Sequence, residues 1–240
     1  MTSVKPPVLS LSNVASGYKE LKVLKGVSFD VAAGEFVTVV GPNGHGKSTL
    51  LKTISGLVPL TGGTIRINGQ PILGKPHAVA ALGVAHVPQG DMLFAEMSVI
   101  ENLLMGAYLA PGKAEIDRRL EEVFTLLPKL ADRRHQIAST LSGGERRMAG
   151  IGRGLMMGGA ILLIDEPSLG LAPLIIEQIY GVISELSKAG RTILLVEENP
   201  ARVADLADRL HLLDDGEIIW SGPPAELLAR DELLATYLGG

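Results

Sequence analysis

Residues 41–48 read Gly-Pro-Asn-Gly-His-Gly-Lys-Ser and directly follow the apolar run at residues 36–40. The segment is a full match to the pattern G-x-x-x-x-G-K-[ST], which requires a strand before it and a helix after it. Its three glycines permit tight backbone turns that aim successive N–H groups at one anion. We therefore predict a strand, a phosphate-binding loop and a helix over residues 49–55.

The residue types of this loop predict a nucleotide site that includes a metal ion. Lys47 can reach the β- and γ-phosphates, and the Ser48 hydroxyl can bind Mg²⁺. The positive end of the following helix favours the same anion. His45 fills a position usually held by a small residue and is interpreted as a tolerated side chain. The predicted nucleotide-binding residues of the loop are Gly41, Pro42, Asn43, Gly44, His45, Gly46, Lys47, Ser48 and Thr49.

Composition excludes several classes of protein. The 240 residues are 46% hydrophobic, which is enough for a sizeable core. The formal net charge of −4 does not provide the basic field that nucleic-acid binding needs, so nucleic acid is not an expected partner. The chain has no cysteine, and no window approaches 18 uninterrupted apolar residues. We expect a folded protein that does not cross a membrane by itself.

The pattern of apolar residues changes along the chain. Residues 8–40 alternate as short strands, and residues 64–69 add another strand and turn, which predicts a small antiparallel sheet. Residues 97–138 have helical spacing and begin with a capping box at Ser98–Glu101. After residue 144, helices alternate with apolar strands, which predicts crossovers that build a mainly parallel sheet.

A second candidate for chemistry is the pair of carboxylates that follows the apolar run Ile161–Ile164. Because a buried strand ends there, Asp165 and Glu166 are predicted at the same sheet edge as the phosphate-binding loop. Asp165 can hold Mg²⁺, and Glu166 can polarise an attacking water.

A third motif decides the class. Leu141, Ser142, Gly143, Gly144 and Glu145 form the string LSGGE, which read locally is another capping box. Together with the other two motifs it resembles the signature of the ATP-binding cassette (ABC) ATPases, over essentially the whole chain. In that family the signature of one subunit closes over the ATP γ-phosphate held by another subunit.

The resemblance implies an α/β fold of the P-loop NTPase, ABC ATPase type: a mainly parallel core sheet with an antiparallel β flank and a helical subdomain. It implies a single domain over residues 1–240. The expected subregions are the flank at 1–40 and 63–73, the core at 41–62, 74–91 and 146–222, the helical subdomain with the signature at 92–145, and C-terminal helices at 223–240.

The family also implies roles for two further residues, with ATP and Mg²⁺ as the cofactors. Tyr18 matches the aromatic residue that stacks on adenine, although a surface or core tyrosine is the alternative. Gln89 matches the glutamine that senses Mg²⁺ and acts with Glu166 and Lys47 in catalysis. The expected metal ligands are therefore Ser48, Gln89 and Asp165, and residues 92–110 are expected to dock on membrane subunits.

A narrower resemblance comes from Asp165–Pro173, Val196–Asn199 and the ending Tyr237–Gly240. These segments look like the second ATPase of branched-chain amino acid importers, or of the related urea and amide importers. Such a subunit works with a second ABC ATPase, as a heterodimer or a homodimer. It also works with two integral membrane permeases and, indirectly, a substrate-binding protein, at the cytoplasmic face of the cell membrane.

Some positions depart from the family. Glu198 stands where most members carry a switch histidine, and a carboxylate there would be repelled by phosphate. We therefore expect slow hydrolysis at the site built on Lys47 and Glu166, or a nucleotide-gated subunit with little hydrolysis of its own. Arg146 and Arg147 follow the signature and are interpreted as a solvated helix face or as partners of Glu145. The string LSGGERR also resembles the ATPase of lipopolysaccharide export, which is the alternative function.

Overall fold

Two β-sheets and eight α-helices form the part of the chain that this computed structural model describes, residues 7–72, 74–90, 92–230, 232–233 and 235. The strands are β1 (Pro7–Tyr18), β2 (Leu21–Ala32), β3 (Phe36–Val40), β4 (Leu60–Ile67), β5 (Gln70–Pro71), β6 (Val84–Val87), β7 (Ile161–Asp165), β8 (Ile193–Glu197), β9 (Arg209–Asp214) and β10 (Glu217–Gly222). The helices are α1 (Lys47–Ile54), α2 (Pro76–Ala81), α3 (Val99–Gly106), α4 (Lys113–Leu126), α5 (Pro128–Asp132), α6 (Gly143–Met156), α7 (Pro173–Lys188) and α8 (Pro224–Leu228), with short 3-10 helices at Ala138–Thr140 and Pro200–Arg202.

The larger sheet has the order β10-β9-β3-β8-β7-β6. Strand β3 pairs in parallel with β8 and β9, and β7 pairs in parallel with β8 and β6, while the edge strand β10 is antiparallel. The expectation that assigned all of residues 1–40 to the antiparallel flank is corrected here, because β3 lies inside the core sheet. A five-residue apolar run does not reveal which sheet it joins.

The smaller sheet is antiparallel and has the order β2-β1-β4-β5. Strand β1 extends through Gly17, and the turn that follows it lies at residues 19–20. A side chain at Gly17 would meet the Leu21 carbonyl oxygen at 2.0 Å, so the glycine serves a close backbone approach.

Two apolar cores cover the two faces of the larger sheet. Val37 and Val39 of β3 belong to the core shared with the small sheet and α1, whereas Phe36 and Val40 belong to the core shared with the helices. Successive side chains of a strand point to opposite faces, so a strand that is buried on both faces is mostly apolar, and Thr38 is the one polar residue of β3. Because both faces of the sheet are packed, the ends of its strands are held in place, and so are the loops at its C-terminal edge.

Helices α3 to α6 form the helical region beside this sheet. The predicted capping box at Ser98 is present: its side chain accepts a hydrogen bond from the Glu101 N–H, and the Glu101 carboxylate accepts one from the Ser98 N–H. Near the C-terminus, helices were predicted over residues 223–240, and α8 is the first of them. The predicted second helix lies largely outside the described residues, and so does the ending Tyr237–Gly240.

Candidate active site

The phosphate-binding loop leaves the C-terminal end of β3 and enters α1 directly. Helix α1 begins at Lys47, two residues before the predicted start. Gly44 and Gly46 have φ angles of 85° and 109°, so both occupy the left-handed region that favours glycine. A side chain at Gly41 would meet the Leu213 carbonyl oxygen at 2.1 Å, which shows how closely β9 approaches the loop.

The Lys47 ammonium group lies at the centre of the loop. Its Nζ donates to the carbonyl oxygens of Gly41 at 2.8 Å and Pro42 at 3.1 Å, and to Asn43 Oδ1 at 3.4 Å. It also forms an ion pair with Glu166 Oε1 at 3.2 Å, and both residues are buried. The loop therefore holds a buried positive charge beside the carboxylate that the sequence predicted as the catalytic base.

Glu166 has a strained backbone and a polar environment. Its φ angle is 42°, which is uncommon for a residue other than glycine and is often found at functional sites. Gln89, in the loop after β6, donates from Nε2 to Glu166 Oε2 at 2.8 Å. The structure thus brings two distant positions of the chain, Lys47 and Gln89, to the Glu166 carboxylate.

Asp165 lies beside the start of α1. Ser48 Oγ donates to Asp165 Oδ1 at 2.9 Å, whereas Asp165 Oδ2 is buried and has no hydrogen-bond partner among the described residues. Burial raises the pKa of the Asp165 carboxyl, the Ser48 hydrogen bond opposes that rise, and the Glu166 charge adds to it. An unpartnered buried carboxylate oxygen is costly unless it gains a hydrogen-bond donor or a cation.

The donor set at this edge fits Mg²⁺. A hydroxyl, a carboxylate and an amide oxygen are hard oxygen ligands, which Mg²⁺ prefers, and it commonly takes few protein ligands together with phosphate and water. The described residues contain no group of three or more His, Cys, Asp or Glu side chains that could hold a metal. The unpartnered Asp165 oxygen is suited to accept a cation of this kind.

His45 has partners that the sequence did not indicate. Its Nδ1 lies 2.7 Å from Asp214 Oδ1 and 3.1 Å from the Asp215 backbone nitrogen, in the turn between β9 and β10. Lys25 of β2 donates to the other side of this turn, at 2.5 Å from Asp215 Oδ2. The histidine thus ties the phosphate-binding loop to a turn 169 residues further along the chain.

The signature forms the start of α6. Ser142 is the N-cap, and its side chain accepts from the Glu145 N–H, while Glu145 Oε2 accepts from the Ser142 N–H at 2.9 Å and from its hydroxyl at 2.8 Å. Ser142 and Gly143 are exposed, whereas Leu141 and Gly144 are buried. The predicted capping box is therefore present, with its serine facing solvent.

The other predicted residues occupy different environments. Tyr18 ends β1 with 46% of its surface exposed, and Thr49 is buried in the first turn of α1. Glu198 is exposed after β8. Arg147 is buried rather than on a solvated helix face, which corrects one of its two interpretations, and it donates to the Gly90 carbonyl oxygen at 2.6 Å.

Comparison with known proteins identifies the class. The family model described as ABC transporter matches residues 24–169. The branched-chain amino acid transport ATP-binding protein BraG of Pseudomonas aeruginosa is 41% identical over 97% of this chain and 100% of its own length. The probable branched-chain amino acid transport protein LivF of Archaeoglobus fulgidus is 38% identical over 93% of this chain and 95% of its own.

Further comparisons give the fold and a second kind of relative. The ADP conformation of MJ1267, an ATP-binding cassette of an ABC transporter, superposes with a TM-score of 0.86 at 28% identity, over 96% of this chain and 98% of that one. The lipopolysaccharide export protein LptB of Haemophilus influenzae is 32% identical over 97% of each chain.

The chain belongs to the ABC transporter family and is an ATP-binding ATPase cassette of that family. The predicted α/β fold of the ABC ATPase type is confirmed. The resemblance to the second ATPase of branched-chain amino acid importers is confirmed as a similarity to BraG and LivF. Among the described residues, no helix has both the length and the apolar character needed to span a bilayer.

Proposed function

We propose that this chain is an ATPase subunit that powers import of branched-chain amino acids, or of urea or amides. The observation that carries the catalytic part is the convergence of Lys47, Ser48, Gln89, Asp165 and Glu166 at one sheet edge. The observation that favours this cargo class is the 41% identity to BraG over nearly the full length of both chains.

In this proposal the phosphate-binding loop holds the ATP phosphates and Lys47 neutralises their charge. Tyr18 is exposed at the end of β1 and is free to stack on the adenine ring. Ser48, Asp165 and Gln89 would hold Mg²⁺, which when bound supplies positive charge to the phosphates. Glu166 acts as the base that orients and deprotonates the attacking water, because it is the carboxylate that faces Lys47.

The signature supports a shared ATP site. Ser142 and Gly143 are exposed at the N-terminus of α6, where N–H groups and a hydroxyl favour an anion. In the proposed mechanism this surface closes over ATP held by a second cassette. ATP-driven closure of the two cassettes then switches the membrane subunits between outward and inward access.

An apolar surface on the helical region supports docking to membrane subunits. Its members are large exposed side chains in and around α3, and such clusters mark interaction sites. They are Met92, Phe94, Leu104, Met105, Tyr108 and Leu109. We propose that two integral membrane permeases bind here and hold the cassette at the cytoplasmic face of the membrane. A second ABC ATPase and, indirectly, a substrate-binding protein complete the importer.

Glu198 leads to a specific proposal about turnover. A carboxylate near the γ-phosphate is repelled unless it is protonated or turned away. We therefore expect the site built on Lys47 and Glu166 to hydrolyse slowly, while the partner's phosphate loop, closed by this chain's Ser142, does most of the turnover. Comparing Glu166→Gln in this chain with the equivalent change in the partner tests this, and equal losses of ATP turnover contradict it.

Two alternatives have observations in their favour. The string LSGGERR and the similarity to LptB favour a lipopolysaccharide-type exporter. Glu198 favours a nucleotide-gated subunit with little hydrolysis of its own. Phosphate release by the assembled complex, measured with the partner's catalysis disabled, tests the nucleotide-gated subunit. Clear ATP turnover under these conditions excludes it.

Mass spectrometry of proteins that co-purify from gently solubilised native membranes tests the importer itself. Two different polytopic proteins and a second, histidine-bearing cassette support the importer. A self-paired cassette with export-type membrane subunits supports the exporter. Recovery of soluble partners only contradicts both.

A further inference from the structure

Glu197 is a buried carboxylate that the proposed chemistry does not use. It is the last residue of β8 and is 1% exposed. The carboxyl group lies on the face of the sheet that β8 presents to the helices, together with Ile193 and Leu195, whose side chains are in the same core. A buried charge is costly unless it is paired and hydrogen-bonded.

Groups from several separate segments satisfy this carboxylate. Ser168 Oγ and Tyr180 OH each donate to Oε1 at 2.5 Å, and the Glu198 N–H donates to Oε2 at 2.9 Å. Arg202 Nη1 lies 3.5 Å from Oε2. Hydrogen bonds to an ionised acceptor are roughly twice as strong as neutral ones, so this cluster is a strong anchor.

Ser168 links the two loops at the end of the sheet. It follows β7 and donates to Glu197, while it accepts a hydrogen bond from Arg202 Nη1 at 2.5 Å. Arg202 lies in the 3-10 helix that follows β8. Tyr180 of α7 acts as a donor, because burial, and then the adjacent Glu197 charge, raise the pKa of its phenol.

The anchored loops are those that carry the candidate catalytic groups. Glu166 lies two residues before Ser168, and its N–H donates to the Val196 carbonyl oxygen at 3.1 Å. Glu198, at the switch position, directly follows Glu197. The cluster therefore fixes the segment 166–168 and the segment 198–202 to one carboxylate.

We propose that Glu197 is a positioning residue of the ATPase, which locks the loop after β7 to the loop after β8 so that they move as one body. The proposal rests on the ATP site proposed above for its catalytic consequence. It does not depend on which cargo is moved or which partner binds.

The hydrogen-bond donors and the arginine around residue 197 favour a carboxylate there. All of the groups named above present hydrogens or positive charge to Glu197, so both of its oxygens act as acceptors. A glutamine has nearly the same shape but replaces one oxygen with an amide that donates. A hydroxyl can accept as well as donate, so the new amide can face Ser168 and Tyr180 while the retained oxygen still faces the Glu198 N–H. Glu197→Gln therefore keeps the shape of the cluster but removes its negative charge. The charge-assisted hydrogen bonds and the attraction of Arg202 are replaced by weaker neutral contacts, which loosens the anchor.

Amide hydrogen exchange in the full chain tests the lock without requiring activity. We expect Glu197→Gln to raise exchange in residues 166–170 and 198–203 together. In single-turnover hydrolysis by the assembled complex, with the partner's catalysis disabled and protein in excess over ATP, we expect the rate per folded molecule to fall about tenfold. The ATP Kd should be unchanged within about twofold.

Glu35→Gln is the matched control. Glu35 also accepts from a backbone N–H, that of Ala32 at 2.7 Å, and pairs with an arginine, Arg209, at 2.8 Å, but it precedes β3 at the opposite end of the strand. We expect this variant to lower the melting temperature while leaving the exchange of both loops and the hydrolysis rate per folded molecule unchanged. A structural role alone for Glu197 would give the same result in both variants.

Tyr180→Phe provides a second test if Glu197→Gln does not fold. It removes one donor and keeps the ring in the core, so a smaller but still joint rise in exchange supports the lock. Exchange that rises in only one loop, or in neither, overturns it. An assembled wild-type complex without ATP turnover would contradict the proposed function, whereas the exchange result would still decide the lock.

Discussion

The phosphate-binding loop and the signature are both glycine-containing segments at the start of a helix, but their surroundings differ. Lys47 is 3% exposed and is held by carbonyl oxygens of its own loop and by Glu166. Ser142 is exposed, and its bonds are those of its own helix cap. The first segment is completed by the rest of this chain, whereas the second presents its polar groups outward.

The contrast separates two parts of the proposed ATP site: one is assembled within this chain, and the other faces outward. The phosphate-binding loop depends on contacts from β7, the loop after β6 and the turn between β9 and β10, all within one chain. The signature offers a helix N-terminus to a ligand that it does not itself hold. We therefore expect changes in the phosphate-binding loop to alter ATP binding by the isolated chain. Changes in the signature should alter ATP turnover by the assembled complex.

The largest effect is expected for Lys47→Ala. The change removes the charge that faces the phosphates, so we expect the ATP Kd to rise more than about 100-fold. It also leaves Glu166 buried without its cation, which should lower the free energy of unfolding by about 3 to 5 kcal/mol. Titration of the isolated full chain with a fluorescent ATP analogue measures it. Lys113→Ala is the control, because this exposed lysine pairs only within α4, with Asp117; equal losses in the two variants would break the comparison.

The second-largest effect is the loss of folding stability in acid that follows from protonation of His211. Burial, with a smaller contribution from Arg209, lowers the pKa of His211 to about 4 from its ordinary 6.5. The folded state thus favours the neutral ring, so the stabilisation is complete above pH 6.5 and is lost as the pH falls toward 4. The loss corresponds to about 3 kcal/mol in the free energy of unfolding, and His211→Gln should remove this contribution while leaving the similar one of His86.

Urea denaturation between pH 7 and pH 4 measures this slope. His77→Gln is the control, because His77 is exposed. Burial, with a smaller contribution from Lys52, lowers the pKa of His86 to about 4 as well. His86 and His211 both lie in strands of the larger sheet, whereas His135 of the helical region is exposed. Acid should therefore loosen the strand region first, and hydrogen exchange that rises first in α3 to α5 would contradict this.

The smallest effect is expected for Ser142→Ala. The helix cap is lost at a cost of about 1 kcal/mol, the ATP Kd of the isolated chain stays unchanged, and turnover by the assembled complex falls about tenfold. Ser98→Ala is a closely matched control, since it breaks the same type of capping box at α3. If the two serine variants lose turnover equally, the signature acts only through the cap.

The sequence predicted the features that depend on local pattern. The strand, loop and helix around residues 36–54, the capping boxes at Ser98 and Ser142, and the carboxylates after β7 each lie within a short segment whose residue types define them. Their meeting at one edge follows from the rule that parallel strands share their C-terminal ends. The individual roles of these residues in binding and catalysis remain predictions.

Features that depend on distant partners were not predictable in this way. His45 contacts a turn 169 residues away, and Ser168 meets Glu197 across 29 residues. The partner of a polar side chain is set by how the elements pack, which local spacing does not encode. The assignment of β3 to the flank failed for the same reason, because the run Phe36–Val40 is equally apolar in either sheet.

The Glu145 carboxylate has a consequence for selectivity. It accepts hydrogen bonds from the N–H and the hydroxyl of Ser142, so a negative group of the chain already sits where an incoming anion would bind. A free chloride or phosphate ion must displace the Glu145 carboxylate, which is part of the same chain and is therefore present at a high effective concentration. In the proposed mechanism the anion is held at a fixed position on the surface of a docked neighbour, and we expect this to let it replace the Glu145 carboxylate where a free anion does not.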